Sequence, residues 1–135
     1  MRDSRDVFHL AIPCKDLDEA YEFYIKGLGC KLARRYDDRI TLDFFGDQVV
    51  CHKYPEKVTK DEELEMYPRH FGITFYEKKH FDDLVSLAKT RNLRIFEDVF
   101  VRFEGTVEKH LTFFLRDPSN NLLEFKFYYN SRMMY

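Results

Sequence analysis

The chain has 135 residues and a formal net charge of −2, with a sequence pI near 6.2. Its length predicts one domain, residues 1–135, which can bury a core without disulfides or structural zinc. The charge balance argues against a nucleic-acid-binding protein, because such proteins carry a strongly basic patch. No stretch approaches about 18 apolar residues, so the sequence predicts no membrane span.

The cysteines and the N-terminal segment indicate a cytoplasmic protein. Cys14, Cys30 and Cys51 are odd in number and have no C-x-x-C spacing. This usage is typical of reduced thiols rather than of a disulfide framework. The first six residues are mostly charged and lack the apolar segment of a signal peptide.

Residues 7–54 read as a strand, a helix and three further strands. The apolar run from Val7 to Ile12 predicts the first strand. Asp16 suits a helix N-cap, since Glu19 follows three residues later and apolar residues then recur at helical spacing. Glycines at 27 and 29 end this helix. Turn residues then separate three predicted strands over 30–35, 40–45 and 48–54.

Residues 70–129 repeat the same order after a charged linker, 55–69, in which one helical turn is expected around Asp61 to Met66. Asn92 can adopt the left-handed conformation that ends the second helix. The segment from Val99 to Lys109 is longer than its counterpart in the first half, and is either a cover over a cavity or a plain insertion. The predicted elements are strands at 71–76, 93–97, 110–115 and 121–129, with a helix around 81–88.

Three hydrophilic residues interrupt short apolar runs of strand character. His9 lies in FHLAI, His70 begins HFGITF and Glu124 lies in NLLEFKF. A polar group buried on a strand face costs free energy unless a partner satisfies it. A divalent metal would satisfy all three as two imidazoles and one carboxylate, with coordination positions left open.

A repeated βαβββ unit, with His on the first strand of each half and Glu on the last strand, resembles the vicinal oxygen chelate superfamily. That superfamily includes glyoxalase I, extradiol ring-cleavage dioxygenases, fosfomycin-resistance enzymes and bleomycin-binding proteins. The resemblance runs from about Phe8 to Tyr128. Its most specific stretches are FHLAIP (8–13), DLDEAYEFY (16–24), LGC (28–30), RHFGI (69–73) and DPSNNLLEFK (117–126).

The resemblance implies an α+β fold in which two βαβββ modules form an open, barrel-like mixed sheet around a metal and substrate cup. It places the metal ligands at His9, His70 and Glu124. The chain is most similar to small single-barrel members described as extradiol-dioxygenase-like. One departure is Asn120, where the family usually has Gly; Asn tolerates the left-handed region, so the turn should persist.

A second departure concerns the strand that corresponds, in the first half, to the one carrying Glu124. In glyoxalase-like members this strand supplies a fourth ligand, a Glu, and here it has no carboxylate near His52. This absence weakens an assignment as glyoxalase I. His52 is then a fourth ligand, an acid or base beside the substrate, or an ordinary half-buried histidine.

Three further residues are candidates for contact with a substrate. Arg102 lies among aromatic residues and either clamps a substrate carboxylate or is an exposed strand residue. His110 and Tyr128 either transfer protons in the cavity, as extradiol enzymes require of a His and a Tyr, or are an exposed His and a core-edge Tyr. The predicted roles are catalytic for His52 and Tyr128, and substrate-binding for Arg102 and His110.

The leading hypothesis is an extradiol dioxygenase-like enzyme that uses iron(II) on a small substrate with vicinal oxygens. Alternatives are a glyoxalase-like lyase or isomerase with zinc, nickel or manganese, and a non-catalytic protein that binds a small molecule, as bleomycin-resistance proteins do. No P-loop, G-x-G-x-x-G, G-x-S-x-G or H-E-x-x-H motif supports another enzyme class. By analogy with the family, a homodimer is expected, and no nucleic-acid or membrane partner.

Overall fold

The computed structural model describes residues 1–135. The chain forms two four-stranded mixed sheets with few helices. The chain divides into two units. The first unit comprises Met1–Asp61 with Pro118–Asn121, and the second comprises Glu62–Asp117 with Leu122–Tyr135. The predicted α+β class with two βαβββ modules is confirmed. No helix combines the length and the apolar character needed to cross a membrane.

The first sheet has the order β1-β4-β3-β2. Strand β1 runs parallel to β4, and the other two pairings are antiparallel. Ile40, Leu42 and Val49 are buried and contribute to the core of this unit. The strands are β1 (His9–Cys14), β2 (Lys31–Arg35), β3 (Arg39–Phe44) and β4 (Asp47–Lys53).

The first helix begins as predicted but changes its winding. The Asp16 carboxylate accepts backbone N–H bonds from Asp18 and Glu19 at 2.8 and 2.9 Å, which caps α1 (Leu17–Tyr21). A π-helical turn over Glu22–Gly27 follows, where one regular α-helix was predicted. The wider turn still buries Phe23 and Tyr24, so the apolar spacing alone did not distinguish the two windings.

The second sheet has the order β5-β8-β7-β6, with β5 parallel to β8 and the other pairs antiparallel. Helix α2 (Lys78–Thr90) buries Phe81, Leu84 and Ala88 at the predicted helical spacing. Asn92 has a φ of 53°, as predicted for the residue that ends this helix. The strands are β5 (Phe71–Phe75), β6 (Ile95–Arg102), β7 (His110–Arg116) and β8 (Leu122–Tyr128).

The segment from Val99 to Lys109 differs from the loop that the sequence predicted. Its first four residues continue β6 and pair with β7, so Arg102 is a strand residue opposite His110. The rest is a short turn closed by hydrogen bonds from Thr106 N to Phe103 O and from Lys109 N to Thr106 O. Alternating apolar residues continue β6 past two irregularities in its pairing with β7. The sequence carries no signal for these irregularities.

The turn before β8 belongs to the first unit. Asn120 adopts a φ of 64°, as predicted for the residue that replaces Gly. Its side-chain amide donates to Thr59 O at 2.7 Å and to Asp61 Oδ1 at 2.8 Å. Asn121 donates to the Pro13 carbonyl at 2.9 Å. The departure from Gly therefore adds an anchor for the linker, which contains 3-10 turns at Pro55–Lys57 and Asp61–Glu63.

Candidate functional site

Four of the seven predicted site residues lie on one face of the second sheet, and a fifth, His70, directly precedes one of its strands. Glu124 on β8 lies opposite Phe114 on β7, and Tyr128 lies opposite His110, which in turn pairs with Arg102. Directly opposite residues of antiparallel strands share a face. His70 immediately precedes β5, which runs beside β8.

Gly72 allows β5 to approach Glu124 closely. In the parallel register Gly72 is the partner of Glu124. A Cβ at position 72 would lie 1.7 Å from the Glu124 carbonyl oxygen, a separation that no side chain tolerates. The absence of a side chain therefore brings the residue before β5, His70, alongside the carboxylate.

His70 and Glu124 form the central pair of this face. Nε2 of His70 lies 2.8 Å from Oε2 of Glu124, and the Glu124 side chain is 6% exposed. Nδ1 of His70 lies 2.6 Å from the Met66 carbonyl oxygen, which can only accept, so Nδ1 carries a proton. The Nε2 lone pair then faces a carboxylate oxygen, and the two atoms must share a proton or a cation.

Aromatic rings hold the His70 imidazole edge-on. Tyr67 and Phe114 contact the ring at centroid distances of 5.5 and 5.4 Å. Arg102 donates a hydrogen bond to the Tyr67 hydroxyl and lies over its ring. These contacts fix the direction in which Nε2 points, and they give Arg102 a positioning role that the sequence did not indicate.

The two oxygens of Glu124 have different partners. Oε1 accepts a hydrogen bond of 2.8 Å from Thr112 Oγ1, a fully buried hydroxyl on β7. Oε2 faces His70 and also lies 3.8 Å from Nζ of Lys126, the next residue along the same face. Neither Thr112 nor Lys126 was predicted to be a site residue, although the period of two along the strand places Lys126 on the same face as Glu124.

His110 and Tyr128 lie further along the same face. Their rings are 4.5 Å apart, and His110 is 4% exposed. Nδ1 of His110 lies 2.8 Å from the Glu108 carbonyl, which leaves Nε2 of the neutral ring as an acceptor. Four strand residues span about 13 Å, so Tyr128 is remote from Glu124 and both rings suit contact with the distant part of a ligand.

His9 lies in the first unit, at the start of β1. Its Nδ1 is 2.6 Å from the Gln48 side-chain oxygen, so Nε2 is the nitrogen left to accept or to coordinate. This is the same arrangement as that of His70. His9 is exposed, whereas its apolar flanks predicted a polar group buried on a strand face.

His52 does not occupy the position that corresponds to Glu124. Gly72 pairs with Glu124, and the equivalent residue of β1, Ala11, pairs with Val50. His52 pairs with Pro13 two residues later, on the same face. The counterpart of the carboxylate is therefore apolar. His52 instead borders an open cavity of about 380 Å³, lined by Ala11, Ile12, Pro13, His52, Tyr54 and Lys57.

The structure pairs two of the three predicted metal ligands, His70 and Glu124, within the second unit. No three His, Cys, Asp or Glu side chains of the chain are grouped so that they could hold a metal ion. Each of the three predicted ligands nevertheless has one polar atom fixed by a protein partner and a second atom left for another contact. The partners that fix them are Gln48, Met66 and Thr112.

Comparison with known proteins identifies the family. The family model described as the Glyoxalase/Bleomycin resistance protein/Dioxygenase superfamily matches residues 6–125. The glyoxalase domain-containing protein RDO1 of Mycosarcoma maydis is 26% identical over 128 residues, which are 95% of this chain and 71% of that protein.

Solved structures agree with this match. A glyoxalase/bleomycin resistance protein/dioxygenase from Alicyclobacillus acidocaldarius is 66% identical, with a TM-score of 0.94 and full coverage of both chains. The fosfomycin resistance protein FosX of Listeria monocytogenes shares the fold at 12% identity, with a TM-score of 0.71 over 96% of this chain and 98% of its own. The chain belongs to the glyoxalase/bleomycin resistance/dioxygenase superfamily, the vicinal oxygen chelate superfamily that its sequence resembles.

Proposed function

We propose that this protein is a metal-dependent enzyme in which His9, His70 and Glu124 bind one divalent cation. The observation that carries the proposal is the contact between His70 Nε2 and Glu124 Oε2 at 2.8 Å. Two ligand atoms at about 2.1 Å from a metal, in adjacent coordination positions, are about 3 Å apart. The pair therefore has the spacing of two ligands of one ion, and its outer atoms are already hydrogen-bonded.

The hydrogen bonds that the three predicted ligands make with their protein partners favour a metal over a simple hydrogen bond. Metal-binding histidines usually donate their other N–H to a carbonyl or carboxylate, and metal-binding carboxylates are themselves hydrogen-bonded. His70 meets this condition through Met66, His9 through Gln48 and Glu124 through Thr112. These partners fix the tautomer of each ring and leave Nε2 of both histidines with a lone pair.

The donor set fits iron(II) and a small substrate with two neighbouring oxygens. Two neutral imidazoles and one carboxylate are the facial set of non-haem iron oxygenases, and a bound cation would stabilise the anionic form of such a substrate. The protein contributes a carboxylate fixed by Thr112 and imidazoles of fixed orientation. We favour an extradiol dioxygenase-like activity because Val50, not a carboxylate, occupies the position equivalent to Glu124.

The remaining predicted residues would act on the substrate itself. His110 would accept a proton at Nε2, because Glu108 holds its Nδ1–H. Tyr128 would pack on the distant end of the substrate, since its ring contacts that of His110. Arg102 would position Tyr67 and bind an anionic group. We assign His52 an acid or base role rather than metal binding, because it lies two residues from the ligand-equivalent position.

The test is anaerobic loading of the metal-free protein with iron(II), followed by catechols and oxygen. We expect oxygen uptake and the absorbance of a ring-cleaved product with wild type. Glu124→Gln retains the shape of the side chain but loses the charge, and should bind iron at least about 100-fold more weakly. Lys89→Met, which removes an exposed charge of the same unit, is the matched control and should behave as wild type.

Two outcomes would redirect the proposal. Turnover of a hemithioacetal under argon, with zinc, nickel or manganese, would favour the glyoxalase-like alternative. Binding of a small molecule that is unchanged in Glu124→Gln and His70→Ala would favour a non-catalytic binding protein. Failure of iron(II) to bind to wild type would contradict the proposal itself.

We further propose that the protein is a homodimer and resides in the cytoplasm. Members of this superfamily with one domain per chain often pair as homodimers, and light scattering after size exclusion should give twice the mass of 16.4 kDa. The three cysteines are buried and form no disulfide, as expected of a protein in a reducing compartment. Cell fractionation tests the location.

A further inference from the structure

We infer that Lys126 selects the substrate by charge, so that the preferred substrate carries an anionic oxygen group, such as a carboxylate, in addition to its two metal-binding oxygens. The inference rests on the proposed function and names the substrate class of that site. It is based on the position of the Lys126 ammonium relative to Glu124 and on the balance of charges on this face of the sheet.

The Lys126 ammonium lies beside the oxygen that faces His70. Its Nζ is 3.8 Å from Glu124 Oε2, beyond hydrogen-bond distance, and 5.7 Å from the centre of the Tyr128 ring. The side chain is 28% exposed, so the ammonium is partly desolvated but can still be reached. A ligand group held next to Oε2 is therefore within reach of Nζ.

Positive groups outnumber carboxylates on this face. Glu124 is the only acidic residue among the regularly paired residues of β5, β7 and β8 on the face. Two further cations lie on this face: Arg116 of β7, opposite Leu122, and Arg102 of β6. Arg102 contacts the Tyr67 hydroxyl and the Tyr67 and Phe103 rings. Glu97 lies opposite Phe114 at an irregularity of β6 and is exposed to solvent.

Metal binding would increase this imbalance. A divalent cation bound to Glu124 neutralises the carboxylate that faces Lys126, so the ammonium loses its counter-ion. An anionic group on the substrate would replace that counter-ion in a partly water-excluded site, where a charge-assisted hydrogen bond is stronger than at an open surface. A neutral substrate would leave Lys126 without a counter-ion.

The test measures binding rather than turnover, with zinc as a redox-inactive metal. Zinc-loaded wild type, Lys126→Met, Lys126→Arg and the control Lys89→Met are titrated with catechol and with 2,3- and 3,4-dihydroxybenzoate. The two isomers place the carboxylate at different distances from the hydroxyls. We expect wild type to bind at least one dihydroxybenzoate about tenfold more tightly than catechol. Lys126→Met should lose this preference, and Lys126→Arg should retain it.

A second readout separates charge recognition from a structural role. Removing a positive charge next to the cation should let Lys126→Met bind zinc more tightly than wild type, while it binds the carboxylated ligand more weakly. Weaker zinc binding together with uniformly weaker binding of all three ligands would overturn the inference. Tight catechol binding by wild type with no preference for either dihydroxybenzoate would overturn it and leave the proposed function intact. No zinc or catechol binding at all would overturn both.

Discussion

The two sheets share one plan but differ at a pair of equivalent positions. In the second sheet Gly72 of β5 lies beside Glu124 of β8, and in the first sheet Ala11 of β1 lies beside Val50 of β4. Each first strand is preceded or begun by a histidine whose Nδ1 bonds to an oxygen. The second unit thus has a carboxylate and a close strand approach where the first unit has an apolar pair.

The comparison concerns one pair of equivalent positions, which holds a carboxylate in the second unit and an apolar side chain in the first. The buried carboxylate requires Thr112, His70 and Lys126 around it, because a buried charge without partners is costly. Val50 needs only apolar contacts. A change at Gly72 or around Glu124 should therefore have a larger effect than the same kind of change at Ala11 or Val50.

The largest expected effect comes from the tight approach at Gly72. Gly72→Ala places a methyl group against the Glu124 backbone, so β5 or β8 must shift, and we expect a loss of about 3 kcal/mol in the free energy of unfolding. The counterpart change, Ala11→Gly, should cost only about 0.5–1 kcal/mol. Urea denaturation measures both. Equal losses at the two positions would contradict the difference between the sheets.

A smaller effect is expected from the hydroxyl that fixes Glu124. Thr112→Val removes the donor to Oε1 and leaves a buried carboxylate oxygen without that bond, so metal affinity should fall about tenfold. We expect stability to fall by about 1–2 kcal/mol. Thr112→Ser keeps the hydroxyl and is the control. Calorimetric titration of the metal measures the affinity, and a valine variant with wild-type affinity would show that Thr112 does not support a ligand.

The smallest expected effect is on the reactivity of the cysteine thiols, which all lie in the first unit. Burial, with a further contribution from the Asp43 carboxylate, raises the pKa of the Cys30 thiol from 9.0 to about 12. The folded protein should therefore leave Cys30 unlabelled by Ellman's reagent at pH 8, whereas all three thiols should react in urea.

The same thiol gives a pH dependence of stability. The folded state holds the Cys30 proton more strongly than the unfolded state, so its contribution is complete below pH 9 and is lost as the pH rises towards 12. Replacing Cys30 with Ala should flatten this alkaline decrease. Rapid labelling of native Cys30 at pH 8 would contradict the assigned burial.

Sequence reasoning predicted the elements where period and turn chemistry agree. The N-cap Asp16, the left-handed Asn92 and Asn120, and the burial of Glu124 all follow from local residue types. The π-helical turn was not predicted, because the same apolar residues satisfy either helical winding. The full length of β6 was not predicted, because bulges shift strand register without a sequence signal.

The environment of the candidate site depends on contacts between distant segments. Thr112 meets Glu124 only through the β7–β8 register, and the Met66 carbonyl reaches His70 through the fold of the linker. Arg102 was predicted to be either a substrate clamp or an exposed strand residue, and the structure shows a half-buried strand residue that donates to the Tyr67 hydroxyl. The sequence could name the donors but not the partners that orient them.

The most direct test of the proposed metal site counts the imidazoles on a bound metal. Pulsed electron paramagnetic resonance of the copper(II)-substituted protein detects the remote nitrogen of each coordinated imidazole. The proposal predicts two imidazoles in wild type and one in each of His9→Ala and His70→Ala. Two imidazoles in His9→Ala, or one in wild type that His9→Ala leaves unchanged, would contradict the claim that His9, His70 and Glu124 share one cation.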